Sequence, residues 1–225
     1  MQIGRQPELV TKLDEEGCMI VPTFYPILDT ETVSRRGISA VEVARDLLAA
    51  GIGILQFRHK LFYSREVFAE LEAIAAMCAR SGATLVVNDR ADLARLTGAA
   101  LHLGQDDLRP ADARRVMGVD GRIGFSTHNE SQLRAAAGEP VDYVALGPIF
   151  GTGSKQNPDP VVGVEELRRL RPLTSRPLVA IGGITRANAR SVIEAGADSV
   201  AVIGDLFPEG GRIGSRAEEW MKLLG

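Results

Sequence analysis

Two hydrophobic periods alternate along this chain. Short runs of β-branched, aromatic and small apolar residues occur at Val21–Leu28, Ile52–Phe57, Thr84–Asn88, Ala100–Leu103, Arg122–Phe125, Tyr143–Leu146, Leu178–Ile181 and Ser199–Ile203. Their near-continuous apolar character is that of parallel strands covered on both faces. Between them, apolar residues recur at three-to-four spacing, as in Val41, Ala44, Leu47 and Leu48, or Phe68, Leu71, Ile74, Ala75 and Cys78, the spacing of a one-faced amphipathic helix. Eight such strand–helix units in about 200 residues predict a single-domain (β/α)₈ TIM barrel and fit a six-stranded doubly wound sheet less well. Residues 1–20 carry charges without a long period and are read as an N-terminal extension, leaving 21–225 as the barrel domain.

If the chain closes into a barrel, the carboxyl ends of all eight strands open on one face, where barrel enzymes keep their sites. The polar residues fall at those ends. Gln56, Arg58 and Lys60 close the second strand in QFRHK, Asn88 and Asp89 the third, and His102, Gln105 and Asp107 follow the fourth in HLGQDDL. Ser126 and His128 end the fifth strand, and the glycines Gly182 and Gly183 end the seventh. The sixth strand runs through Gly147-Pro148 into a loop whose Thr152, Gly153, Ser154 and Lys155 offer hydroxyls, backbone N–H groups and an ammonium, the donors a phosphate oxygen needs.

Composition narrows the partner. The 225 residues are 45% hydrophobic and 24% charged, as in an ordinary globular protein, and the net charge of −3 supplies no general basic field. Nucleic acid and anionic membranes are therefore poor partners, and small molecules are the expected ones. Cys18 and Cys78 lack metal-ligand spacing, and Cys78 lies in an apolar helical pattern that predicts a buried free thiol. No signal peptide or apolar run of about 18 residues is present, so the expected compartment is the cytoplasm.

Arg58, Lys60 and Lys155 place three cations around one mouth, and without compensating acids such a cluster calls for a polyanion. Asp89 and Asp107 follow adjacent strands: either they form a Mg²⁺ site, since a hard cation takes oxygen ligands and bridges acids to phosphate, or they pair with Arg58, Lys60 or Arg90. His102 and His128 read as wall histidines or as acid/base groups. A second anion site is expected where AIGGIT and AVIGDL, Ala180–Thr185 and Ala201–Leu206, pass from strand through glycine, because loops after strands seven and eight of barrels commonly hold phosphate on backbone N–H groups.

At these residues the sequence resembles the thiamine phosphate synthase family, through QFRHK, VVNDRADLA, LHLGQDDL, GFSTHN, DYVALGPIFGTGSK, AIGGIT-x-x-N and AGADSVAVI in order. The family is a (β/α)₈ barrel joining 4-amino-2-methyl-5-hydroxymethylpyrimidine diphosphate to a thiazole phosphate, with release of pyrophosphate. The resemblance implies that Gln56, Arg58, Lys60, Asn88, Ser126 and Lys155 hold the pyrimidine diphosphate. It implies that Asp89 and Asp107 hold Mg²⁺, and that Thr152, Ser154, Gly183 and the backbone of Ile203 and Gly204 hold the thiazole phosphate. Arg58, Lys60, Ser126 and Lys155 would carry the chemistry. Three departures stand out: His59 replaces a usual acidic residue, Gly153 and Ser154 loosen a usual Thr- and Pro-containing loop, and Gly204 replaces a common Ser. The carboxylated thiazole phosphate is an alternative substrate. The rival activity is a thiazole tautomerase using His128 as acid/base, and a non-catalytic barrel binding thiamine precursors is a third reading. A homo-oligomer is compatible with the sequence.

Overall fold

A computed structural model describes residues 19–151, 159–207 and 212–225. Eight strands, β1 (Phe24–Asp29), β2 (Ile54–Arg58), β3 (Thr84–Asn88), β4 (Ala100–Leu103), β5 (Ile123–Thr127), β6 (Tyr143–Leu146), β7 (Leu178–Ile181) and β8 (Ser199–Val202), pair in parallel in that order, and β8 closes on β1. Helices α1 (Thr30–Arg35) and α2 (Ala40–Ala49) follow β1. After the next six strands come α3 (Arg65–Ser81), α4 (Ala91–Thr97), α5 (Pro110–Met117), α6 (Glu130–Ala136), α7 (Val164–Leu170) and α8 (Ala189–Glu194). After β8 a 3₁₀ turn, Gly204–Leu206, precedes α9 (Ile213–Leu224). The expected barrel is present. Five of the eight runs match their strands to within a residue at each end; β1 and β2 start later than expected, and β5 extends to Thr127.

Three helices, α1, α3 and α6, start where a short polar side chain takes up an orphan N–H group. Asp29 accepts from Thr32 N at 3.0 Å, Ser64 from Val67 N at 3.3 Å and Asn129 from Gln132 N at 3.0 Å. The longest helix, α3, faces the sheet with Leu71, Ile74 and Cys78, all buried, and ends at Gly82, whose φ of 71° closes it in the left-handed conformation. Burying a Leu or Ile side chain of this kind contributes roughly 1.5–3 kcal/mol. Burial also pushes the Cys78 thiol up to about 12, so it stays protonated and inert. Cys18 lies outside the described residues.

Strand alternation divides the buried residues in two. Outward positions join the helices in the larger core, where the ring of Trp220 on α9 stacks on Phe24 at 5.4 Å. Inward positions fill the barrel with Tyr25 and Ile27, Ile54, Val86, Ala100, Tyr143 and Ala145, Val179 and Ala201, and Met19 packs with them. Continuing the same parity toward the carboxyl ends gives Asp29, Gln56, Arg58, Asn88, His102 and Ser126. One periodicity therefore produces an apolar floor and a polar mouth.

Candidate active site at the barrel mouth

The flank built by β1 to β4 is charged and self-compensated. Asp29 and Arg58 are register partners on neighbouring strands, and their side chains form an ion pair. Asp29 is 3% exposed and also accepts from the Thr32 hydroxyl at 2.6 Å. Lys60 Nζ lies 2.5 Å from Asp89 Oδ2. Of the alternatives for Asp89, pairing with Lys60 is the one present here, while Arg58 is answered by Asp29, which the sequence reading had not named. A charge desolvated at a barrel mouth costs several kcal/mol unless paired, so the unliganded protein supplies its own counter-ions.

Asp89 sits at the turn after β3 with φ 65°, the only described non-glycine residue at positive φ, and its backbone N–H donates to the His102 carbonyl at 2.8 Å. Its carboxyl is pushed up to about 6, first by burial and then by a hydrogen bond with the Asp107 side chain, against the lowering influence of Lys60. The Asp107 side chain thus stands near enough to Asp89 to favour its protonated form. Asp107 is itself oriented by Gly104 N, donating to Oδ2 at 2.7 Å. This donor set fits a hard divalent cation: two carboxylate groups gathered at one point, with a proton held where positive charge is favoured. Among the described residues no group of three or more His, Cys, Asp and Glu could hold a metal, so the remaining ligands would be substrate oxygens and water. Beside the pair, Asn88 is 6% exposed and its Nδ2 has no hydrogen-bond partner, an amide donor left for a ligand.

The inward polar residues form one connected line across the barrel. Gln56 Nε2 donates to the Tyr25 hydroxyl at 3.0 Å, which lies 2.8 Å from the Tyr143 hydroxyl. Tyr143 reaches His102 Nδ1 at 2.9 Å, and His102 Nε2 reaches Ser126 Oγ at 2.9 Å. Burial raises both phenols far above their ordinary range, so they stay neutral. Gln105 Nε2 donates to the Ser126 carbonyl at 2.6 Å and fixes the strand end. Tyr25 and Tyr143 were not among the expected site residues. Their inward parity in FYPILD and YVAL was the available signal.

The flank built by β7 and β8 has another character. Gly182 and Gly183 have φ of 98° and 64°, and a Cβ on Gly183 would stand 2.5 Å from the Gly151 carbonyl oxygen and 2.8 Å from Phe150 Cβ. The Gly183 carbonyl accepts from Asn188 Nδ2 at 3.1 Å, while Asn188 Oδ1 accepts from Thr185 N at 2.7 Å. Ile203 and Gly204 stand at the 3₁₀ turn, and nothing lies within 4 Å of where a Gly204 Cβ would be. Behind both turns, Asp205 Oδ2 accepts from Arg186 Nε at 3.0 Å, and the Asp205 carbonyl accepts from Arg216 at 2.8 Å. Glu219 pairs with both arginines, so the loops after β7 and β8 are tied to α9.

Two other histidines are engaged. His128 Nδ1–H donates to the Gly147 carbonyl at 2.6 Å, with Nε2 3.6 Å from Asp159. His59, at the departure noted above, donates from Nε2 to the Phe62 carbonyl at 3.2 Å and meets Thr30 Oγ1 through Nδ1 at 2.7 Å. Thr152, Ser154 and Lys155 lie outside the described residues. The described mouth therefore brings together Gln56, Arg58, Lys60, Asn88, Asp89, Asp107 and Ser126 on one arc, and Gly183, Ile203 and Gly204 on another.

Fold and mouth together define a barrel enzyme that handles phosphorylated small molecules. The family model of Thiamine monophosphate synthase (TMP-TENI) matches residues 24–206. A thiamine-phosphate synthase of Koribacter versatilis is 47% identical over 207 residues, covering 91% of this chain and 96% of that one. A thiamine-phosphate synthase of Methanoculleus marisnigri is 42% identical, covering 83% and 88% respectively. The solved thiamine phosphate pyrophosphorylase from Pyrococcus furiosus superposes with a TM-score of 0.79 at 29% identity, covering 90% of this chain and 95% of that one. The chain belongs to the thiamine monophosphate synthase family. Among the described residues no helix is long and apolar enough to cross a membrane.

Proposed function

We propose that this chain, a transferase of that family, joins the pyrimidine diphosphate to a thiazole phosphate and releases pyrophosphate, with Asp89 and Asp107 holding Mg²⁺. The observation that carries the reading is the Lys60–Asp89 ion pair beside the unpartnered amide of Asn88, with the Asp107 carboxyl near enough to raise the Asp89 carboxyl. Such a constellation is matched to a substrate that brings both negative charge and a metal. Bound there, Mg²⁺ would neutralise charge developing on the leaving diphosphate.

The chain's own residues do the rest. Arg58 and Lys60, already held by Asp29 and Asp89, exchange part of that pairing for diphosphate oxygens, so their charge is preorganised when the carbon–oxygen bond breaks. Lys155 joins them from the loop after β6. Asn88 and Gln56 orient the substrate, and Ser126 contributes a hydroxyl at the same arc. On the opposite arc Gly183, Ile203 and Gly204 receive the thiazole phosphate on backbone groups, with Thr152 and Ser154 supplying hydroxyls. Loss of pyrophosphate leaves a cation delocalised over the aminopyrimidine, and the thiazole nitrogen attacks it. No proton has to be removed, so no nucleophile–base pair is required.

The tautomerase reading needs neither diphosphate grip nor metal, and leaves the Lys60–Asp89–Asp107 grouping without a purpose. The expected location is the cytoplasm, with small-molecule partners, and the domain runs from 21 to 225 behind a short extension. Incubating the purified protein with both substrates and Mg²⁺ should yield thiamine phosphate by mass spectrometry. Absence of product with either thiazole phosphate form would sink the reading.

A further inference from the structure

The hydrogen-bonded line through the barrel has a direction, and that direction decides what Ser126 presents to a ligand. Gln56 Nε2 is a donor to the Tyr25 oxygen, so the Tyr25 proton has to leave toward its other neighbour, the Tyr143 oxygen. Tyr143 then spends its own proton on His102 Nδ1. An imidazole that accepts at Nδ1 carries its proton, when neutral, on Nε2. That proton is donated to Ser126 Oγ, leaving the serine hydroxyl hydrogen to point elsewhere. Run in reverse, with His102 Nδ1 donating to Tyr143 and Tyr143 to Tyr25, the line ends with the Tyr25 proton opposed to an amide N–H. With Tyr25 1% and Tyr143 0% exposed, a hydroxyl proton left without an acceptor is unfavourable enough to fix the forward order.

The rings are held to this order by packing. His102 stacks on Tyr143 with centroids 5.6 Å apart, and Tyr25 meets Tyr143 edge-on at 6.1 Å. Opposite them Gly124 leaves open the space the Tyr143 ring occupies, since a Cβ there would collide with it.

We infer that Gln56, Tyr25, Tyr143 and His102 form a one-way relay that fixes Ser126 as a hydrogen-bond donor toward the mouth. The Ser126 hydrogen is then free for a substrate acceptor without a proton, a diphosphate oxygen or a bare ring nitrogen. Tyr25, Tyr143 and His102 act through Ser126 as positioning residues, which gives a reason for a barrel interior to hold two buried phenols. The inference rests on the reading above that Ser126 contacts the pyrimidine diphosphate.

Two measurements test it. In the ¹⁵N spectrum of the full-length protein without substrate, His102 should appear neutral and protonated at Nε2. A ring protonated at Nδ1 would overturn the relay, and this result is readable whether or not the protein turns over the expected substrates. Tyr143→Phe, which removes one oxygen, should lower turnover about tenfold while leaving the KM for thiazole phosphate within about twofold. Combined with Ser126→Ala, it should cost no more than Ser126→Ala alone, because the relay acts only through that hydroxyl. Losses that multiply in the double variant would mean that Tyr143 supports the barrel and not the serine. Wild-type protein that makes no thiamine phosphate would reject the proposed function while leaving the His102 assignment standing.

Discussion

The two arcs of the mouth are built in opposite ways. On the β1–β4 arc the work is assigned to side chains, and every described cation there is already matched: Arg58 with Asp29, Lys60 with Asp89. On the β7–β8 arc the cradle is backbone, shaped by Gly182 and Gly183, and the charged residues Arg186, Asp205, Arg216 and Glu219 stand behind it paired among themselves. Side-chain charges gathered at one mouth repel one another when the ligand is absent, and here acids offset them. Backbone dipoles carry no net charge and need no such partner. A site for two differently charged substrates can therefore be strong on one arc and neutral on the other without unfolding itself between turnovers.

The largest way to break this contrast is at the metal. Asp89→Asn keeps a residue that tolerates the φ of 65° and removes only charge, so turnover under saturating substrate should fall by about 10²-fold or more, the scale of losing one preorganised electrostatic stabiliser. Asp107→Ala should behave alike. Turnover and Mg²⁺ dependence unchanged in both variants would remove the metal from this arc. The thiazole phosphate affinity should meanwhile stay within about twofold.

On the other arc the heaviest blow is Gly183→Val. Its Cβ has no room beside Gly151 and Phe150, and a β-branched residue resists a φ of 64°. Calorimetry with thiazole phosphate, in the presence of pyrophosphate and Mg²⁺, should show affinity reduced more than about tenfold, or about 1.4 kcal/mol. Equal affinity in wild type and variant would place the monophosphate elsewhere.

A smaller effect separates the arcs by pH. Asp89 binds its proton more tightly in the folded chain, with its carboxyl pushed up to about 6 from an ordinary 3.8. Between those values the folded state holds more protons than the unfolded one, so the stability this group contributes is complete below 3.8 and lost as pH rises through about 6. Mg²⁺ needs the deprotonated form, so its half-saturating concentration should rise as pH falls from 7.5 to 5.5, and its stabilisation in thermal melts should shrink. Thiazole phosphate binding to the glycine arc should not follow that Asp89 profile, and a matching profile there would dissolve the distinction.

The smallest expected change is Gly204→Ser. Nothing within 4 Å opposes the new Cβ, and one added hydroxyl can strengthen thiazole phosphate binding by about 1 kcal/mol. Weaker binding by calorimetry would show that the turn, not the missing hydroxyl, sets affinity there.

Most of the architecture was legible in the sequence because a buried parallel strand must be apolar on both faces, and this leaves uninterrupted runs such as LVAI and SVAV. The ends of strands were harder. Arg122 was assigned to the fifth strand, yet its guanidinium is engaged with Asp142 at 2.8 Å just before β5, and Thr127 extends the strand by donating to the Ala145 carbonyl at 2.8 Å. At the mouth, residues with chemistry written in their type, such as Arg58, Lys60, Asp89 and Asp107, could be found by position after a strand. Asp29 could not, because its role depends on being the register partner of a residue 29 positions away. The Tyr25–Tyr143 contact spans 118 positions, and inward parity could place each phenol inside the barrel without showing that the two meet. Pairings set by closure of the barrel are properties of the ring and leave no mark on any single segment.

Trp220 closes the account in another register. It is the one tryptophan of the 225 residues, fully buried and stacked on Phe24, on the same helix that carries Arg216 and Glu219. The protein thus contains a single indole, whose emission can be excited apart from that of the three tyrosines, placed at the seam where α9 seals β1. Its emission reads the docking of that last helix, and through it the integrity of the closed ring, without any label. Unfolding begun by undocking α9 would redden the light before the strands part, whereas emission that shifts only with strand loss would show that ring and seal come apart together.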